Sequence, residues 1–368
     1  MNWNTLFPHW NHVIRFSKSL ENSISAESLS DSEIQFALEV EKLPKTELHV
    51  HIEAALSHSF YKELNNSIKL FSENEILPTD RTPFENFGDF IGAWIGNTKL
   101  IQSESIFHAM GIEFVKNRFL QNIVYTEAHC SPADFSILRM RSSQHGKPLD
   151  YSKCLLVLLS GIKAGQTLYP NTDVRLIVDA LWFSTVEEKE IIANSLEIII
   201  NKSENNSPMG GKYIVAVGLG GPDESKNSAQ ILPFINRCRI MGLKVDIHCG
   251  EVATIENMQH AIEILNPDRI GHGITGAPHD FFFNGHTAAC PLSNLLTGSH
   301  TGTIKTHAIQ KMMEKGVNFS VNSDDPLLFA TTLTLEYVAL HRNFNWSMSD
   351  VIESQIRAKS AAFFKSKN

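Results

Sequence analysis

Eight short apolar runs, most of them separated by stretches with helical periodicity, set the strongest limit on what this 368-residue chain can fold into. The runs fall at 46–56, 122–127, 174–178, 213–217, 244–247, 269–272, 286–290 and 317–321. Residues 153–166, 187–202, 231–241, 254–265 and 304–315 carry the 3–4-residue apolar spacing of helices, as do 333–341 and 350–364 near the end. Strands that alternate with helices build a parallel sheet, and eight such units close it into an α/β (β/α)8 TIM barrel. On this reading 1–43 is an N-terminal helical extension, 44–368 is the barrel, and 57–120 is a helical insertion after the first strand, placed where it can act as a lid.

Several of the runs end in residues that bind metals or move protons. His49 and His51 stand two apart on the first, so both point to one face of a strand. His248 follows the fifth run and Asp324 the eighth, and a closed barrel brings all four groups to one mouth. Histidine and carboxylate donors suit zinc best, with iron, cobalt or manganese compatible on ligand type alone. Glu251, at the beginning of a helix three residues past His248, is the candidate general acid or base. His272, between two glycines, can hold or deprotonate a water, and Asp325 beside Asp324 is expensive to bury unless a cation shares the charge.

Composition narrows the partners. A formal charge of -8 without a local Lys/Arg run opposes nucleic acid, and no apolar stretch reaches the length of a membrane span. Five cysteines without pairwise spacing, and an N-terminus without an apolar core like that of a signal peptide, lead to the expectation of a cytoplasmic protein with reduced thiols. Oligomeric state is not readable.

Five blocks, Leu43-Pro-Lys-Thr-Glu-Leu-His-Val-His51, His248-Cys-Gly-Glu251, Arg269-Ile-Gly-His-Gly273, Cys290-Pro-Leu-Ser-Asn294 and Val321-Asn-Ser-Asp-Asp-Pro326, resemble in order the signature blocks of the adenosine deaminase family. The resemblance implies a barrel with one Zn2+ per chain that removes the 6-amino group of a purine nucleoside as ammonia. It implies zinc ligation by His49, His51, His248 and Asp324, protonation of purine N1 by Glu251, and orientation of the attacking hydroxide by His272 and Asp325, with Asp325 also near N7. The stretch Gly218-Leu-Gly-Gly-Pro-Asp-Glu224 is similar to the family's loop that bonds purine N3, through Gly221. Two positions depart from the family pattern. Ala54 replaces a glycine, and Glu53 stands where adenosine-specific members carry an aspartate near the ribose 5′-hydroxyl. Glutamate there also occurs in members that take free adenine; adenosine or deoxyadenosine is the expected substrate, with adenine and modified adenine nucleosides (aminodeoxyfutalosine, methylthioadenosine, N6-methyl-AMP) as alternatives. If the first strand runs on, Glu53 shares the parity of the histidines and faces the mouth, where it would read the sugar. Two further readings are another zinc hydrolase on the same barrel and an inactive barrel that only binds. The zinc fold of cytidine-type deaminases is excluded, because the chain has no Cys-x-x-Cys.

Overall fold

A computed structural model describes residues 29–68, 84–141, 147–202, 213–223 and 228–364. Eight strands form one parallel sheet in sequence order: β1 (Lys45–Glu47), β2 (Ile123–Cys130), β3 (Asp173–Leu181), β4 (Ile214–Gly220), β5 (Lys244–Cys249), β6 (Arg269–His272), β7 (His286–Ala289) and β8 (Phe319–Val321). The seam between first and last is closed past the regular strands, where His51 N–H donates to the Asp324 carbonyl at 2.9 Å and Asp324 N–H to that of His49 at 3.2 Å. Asn322 Oδ1 completes it by accepting the Leu48 and His49 amides at 2.8 and 3.2 Å.

Helices lie in the connections: α1 (Asp31–Lys42) ahead of the barrel, α2 (His58–Ile68), α3 (Phe87–Thr98) and α4 (Ile106–Leu120) between β1 and β2, then α5 (Pro132–Arg141), α6 (Tyr151–Leu168), α7 (Val186–Lys202), α8 (Ser228–Ile240) and α9 (Ile255–Leu265). After β7 come α10 (Pro291–Leu296) and α11 (Ala308–Glu314), and after β8 come α12 (Pro326–Phe329), α13 (Leu333–Phe344) and α14 (Met348–Ala361). The outward faces of the strands, among them Val174, Leu176, Val178 and Val245, pack with the inner faces of the helices in one apolar cluster. Within it α4 and α6 cross closely. A Cβ on Gly161 would stand 2.1 Å from the His108 carbonyl oxygen, so only glycine lets the two backbones meet.

The barrel agrees with expectation, and its details correct the reading of single elements. The expected strand at 46–56 is regular only over Lys45–Glu47; it keeps isolated bridges at Val50 and His51, then turns into a 3-10 segment, Ile52–Ala54. Strands β2 to β5 run two or three residues past the expected ends because His129, Asp179, Gly220 and His248 interrupt the apolar pattern while staying in the ladder. The expected helix at 304–315 is broken at His307, whose extended backbone and side-chain acceptor cap α11. Within 57–120, α4 is an outer-ring helix packed on α6, and α3 lies over the mouth. Of the N-terminal extension only α1 and its approach fall in the described residues; α1 packs on α13, with Phe36 stacked on His341 at 4.1 Å.

Candidate active site

Four donors meet where the C-terminal ends of the strands converge: His49 and His51 after β1, His248 on β5 and Asp324 after β8. Asp324 Oδ1 lies 3.4 Å from His49 Nε2 and 3.3 Å from His51 Nε2, and His51 Nε2 lies 3.1 Å from His248 Nε2. His248 Nδ1–H donates to the Leu219 carbonyl at 3.0 Å, which turns the Nε2 lone pair into the cluster. Both nitrogens of His49 and Asp324 Oδ1 are buried with no hydrogen-bond partner among the described residues. Buried polar atoms left this way are costly, and a divalent cation would satisfy His49 Nε2 and Asp324 Oδ1 together. The donor set therefore fits a metal ion, and three imidazoles with one carboxylate fit zinc.

The electrostatics agree. Burial opposes charge on His51, yet the carboxylates of Asp325, Asp324 and Asp179 push it up to about 10. Burial and the His129 imidazole hold His49 at about 4, and burial with the neighbouring imidazoles keeps His248 well below the ordinary histidine range. The carboxylates thus draw positive charge to the cluster, which a proton on His51 supplies and a metal would supply in its place.

The backbone is bent to present these groups. His272 and Asp324 adopt left-handed φ values of 64° and 61°, which non-glycine residues rarely hold unless the surroundings impose them. Ser293 Oγ donates to Asp324 Oδ2 at 2.5 Å and fixes that carboxylate. Glu251 sits on a turn shaped by Asp223, whose carboxylate accepts the backbone N–H groups of Gly250, Glu251, Val252 and Ala253 at 2.5, 3.1, 2.9 and 2.9 Å. Burial, then the Asp324, Asp223 and Asp325 carboxylates, push Glu251 well above the usual carboxylate range, so it is poised as a proton donor. Glu251 Oε2 is 3.6 Å from His272 Nε2.

A cavity opens over the cluster. Its floor is His51, His248, Glu251, Asp324 and Asp325; its wall is apolar, with Phe87, Phe90, Ile91, Trp94 and Ile95 from α3 and Leu138, Leu181 and Phe183 opposite. Gly221 and Pro222 line one edge, and the carboxylates of Asp134 and Asp179 line another. Among the described residues the lining has no lysine or arginine.

Of the residues expected from sequence, the structure brings His49, His51, His248, Asp324, Glu251, His272, Asp325 and Gly221 together at this mouth. Glu53 is not among the lining residues. The 3-10 turn cancels the strand parity that was to aim it inward, and its Oε1 instead accepts the Ser131 N–H at 2.8 Å. Asp134 and Asp179 line the cavity, and neither was singled out by sequence. Asp179 lies just past the run at 174–178, and Asp134 opens a helix; a polar residue at such a strand end was the available signal.

The match to known proteins spans the same region. Residues 44–368 match the profile of the adenosine deaminase family. Curated relatives include an aminodeoxyfutalosine deaminase of Streptomyces coelicolor, 28% identical over 82% of this chain and 75% of that protein. An adenine deaminase of Rhodopseudomonas palustris is 24% identical over 87% of this chain and 90% of its own length. Among solved structures, an amidohydrolase from Burkholderia ambifaria with bound zinc superposes with a TM-score of 0.74 at 16% identity, over 96% of this chain and 92% of that one. The extent of the profile match, which takes in all eight strands, places the chain in the adenosine deaminase family of hydrolytic deaminases.

Proposed function

We propose that this protein hydrolyses the exocyclic amino group of a neutral adenine nucleoside, adenosine or a close relative, with one zinc ion held by His49, His51, His248 and Asp324. A zinc ion there would supply Lewis acidity, which makes water nucleophilic at neutral pH. Glu251 gives its proton to purine N1, which draws electron density away from C6. The water oxygen bonds to C6, one water proton passes to the amino group, the C6–N6 bond breaks to release ammonia, and the other water proton returns to Glu251, leaving a C6 carbonyl. His272 and Asp325 hold the water beside C6, and the Gly221 amide holds the purine edge near N3.

The observation that carries this reading is the division of the cavity, with cation donors and the buried Glu251 carboxyl, pushed above its ordinary range, on the floor and an apolar wall built by α3. An aromatic purine fits between such surfaces. A preference for nucleoside over nucleotide is supported by the absence of lysine and arginine among the described lining residues, and by Asp134 and Asp179, which would repel a phosphate and can accept sugar hydroxyls. A turnover screen by ammonia release tests it, with adenosine, deoxyadenosine, adenine, methylthioadenosine, N6-methyl-AMP and aminodeoxyfutalosine as substrates. Adenosine or another uncharged nucleoside is expected to lead. A preference for N6-methyl-AMP or free adenine would overturn the nucleoside assignment.

A further inference from the structure

Behind His272 runs a hydrogen-bond chain that ends on a backbone amide. The Ile309 N–H donates to His307 Nδ1 at 3.1 Å, because His307 caps α11. A nitrogen that accepts cannot carry a proton, so His307 holds its hydrogen on Nε2. That nitrogen lies 3.3 Å from Asn294 Oδ1 and therefore donates to it. The orientation of the Asn294 amide, which contact distances alone leave open, is thereby set. If the amide were turned over, Nδ2 would face His307 Nε2 and both nitrogens of one imidazole would have to accept. Ser299 is consistent with this: its hydroxyl can donate to the Asn294 backbone carbonyl at 3.2 Å and accept from Asn294 Nδ2 at 3.2 Å. The other hydrogen of Nδ2 then points at His272 Nδ1, 3.0 Å away. His272, Asn294 and His307 are all buried, so no solvent competes for these bonds.

We propose that Asn294 and His307 are positioning residues that lock His272 in the tautomer with its proton on Nε2, so that His272 donates a hydrogen bond to the attacking water and does not remove its proton. The tautomer follows from the chain itself; only the identity of the water rests on the deaminase reading. As the water oxygen bonds to C6, one of its protons passes to the departing amino group without His272 taking it up.

Two measurements test this separately. In protein labelled with 15N-histidine, two-bond 1H–15N correlation reads each imidazole tautomer directly, with His272 assigned by the loss of its signals in His272→Asn. His272 and His307 are expected as Nε2–H forms, whatever the substrate proves to be. A His272 with its proton on Nδ1, or exchanging between the two, overturns the proposal while leaving the deaminase reading intact. The second measurement is Asn294→Asp, whose carboxylate accepts from both neighbours and turns His272 to the Nδ1–H form. It is expected to lower kcat by roughly 10²-fold or more with KM and metal content close to wild type. Asn294→Ala, which frees the tautomer without reversing it, should fall less. Equal kinetics for Asp and wild type would overturn the role of the lock even if the tautomer is as stated.

Discussion

Gly271 is where one methyl group tests the proposed metal site most directly. It lies on β6 paired with His248, and a Cβ built there would stand 2.5 Å from His49 Cε1, 3.0 Å from Nδ1 and 3.4 Å from Nε2. Ordinary carbon contacts need about 3.5 Å, so in Gly271→Ala the imidazole must shift by about 1 Å. It has little room to do so. The rings of His129, His248 and His272 stand at 4.5, 4.6 and 5.0 Å between centroids. Metal-ligand distances tolerate only about ±0.2 Å, so a shift of that size removes His49 from the donor set. Overpacking should cost about 1–3 kcal/mol of stability, and zinc affinity should fall by more than the roughly 10–100-fold seen when groups behind the ligands are altered. Competition with a chromophoric chelator measures the affinity, and calorimetry with and without chelator measures the stabilisation that metal contributes. Gly96→Ala is the control: it lies inside α3 with open space around its Cβ, and should hold or raise stability. Wild-type zinc affinity in Gly271→Ala would refute His49 as a ligand in this geometry.

Glu251→Gln should retain the metal and lower kcat by roughly 10²–10⁴-fold, the range of a lost general acid; turnover near wild type would remove Glu251 from the mechanism. Asp223→Asn offers one carbonyl oxygen and one NH2 where the carboxylate accepts four backbone N–H groups, so the turn carrying Glu251 should open. Its expected signature is a fall in kcat with zinc affinity unchanged, checked by steady-state kinetics and metal analysis. Burial alone would raise the Glu33 carboxyl, but hydrogen bonds from Arg342 and Ser30 bring it from 4.5 down to about 2. Stability from this lowered group is fully present above pH 4.5 and is lost as pH falls through about 2. The Tm difference between wild type and Glu33→Gln should therefore shrink across that window, and a difference independent of pH would contradict the pairing.

How much of this was legible depended on whether a residue's role shows in the local pattern. The ligand blocks were readable because histidine and aspartate at the ends of apolar runs are conspicuous, and eight runs leave few ways to arrange them. His129 and Asp179 were missed for the opposite reason: at the C-terminal strand ends the side chains face the mouth, so the apolar pattern stops before the ladder does. Glu53 shows the limit of parity. Two residues past His51 it should face the same way, but the 3-10 turn rotates it onto the Ser131 amide, and nothing local announces that turn. The aromatic stretch before α4 was visible as composition only. Phe87, Phe90, Ile91 and Trp94 do fall at helical spacing, but what that face covers depends on where the helix docks.

The number of metal ions also turns on hydrogen-bond roles. His49, His129 and Asp246 form a second group with donor atoms close enough for an ion, and two-metal hydrolases use clusters of this size. Yet His129 Nδ1 lies 2.9 Å from Asp179 Oδ1, and its Nε2 lies 3.6 Å from Asp246 Oδ2. Burial resists a charge on that ring, but the Asp179 and Asp246 carboxylates push it up to about 9, so at neutral pH both nitrogens carry hydrogen and neither has a lone pair to offer. Asp246 is engaged from the other side by Arg269, whose Nε donates to Oδ2 at 2.8 Å. The second group is thus already neutralised by two side-chain cations. A metal there would have to displace a proton from His129 and compete with a buried guanidinium. A metal at the first group would also displace a proton, from His51, which nearby carboxylates push up to about 10, but among the described residues no guanidinium competes for its donors, which favours one ion per chain.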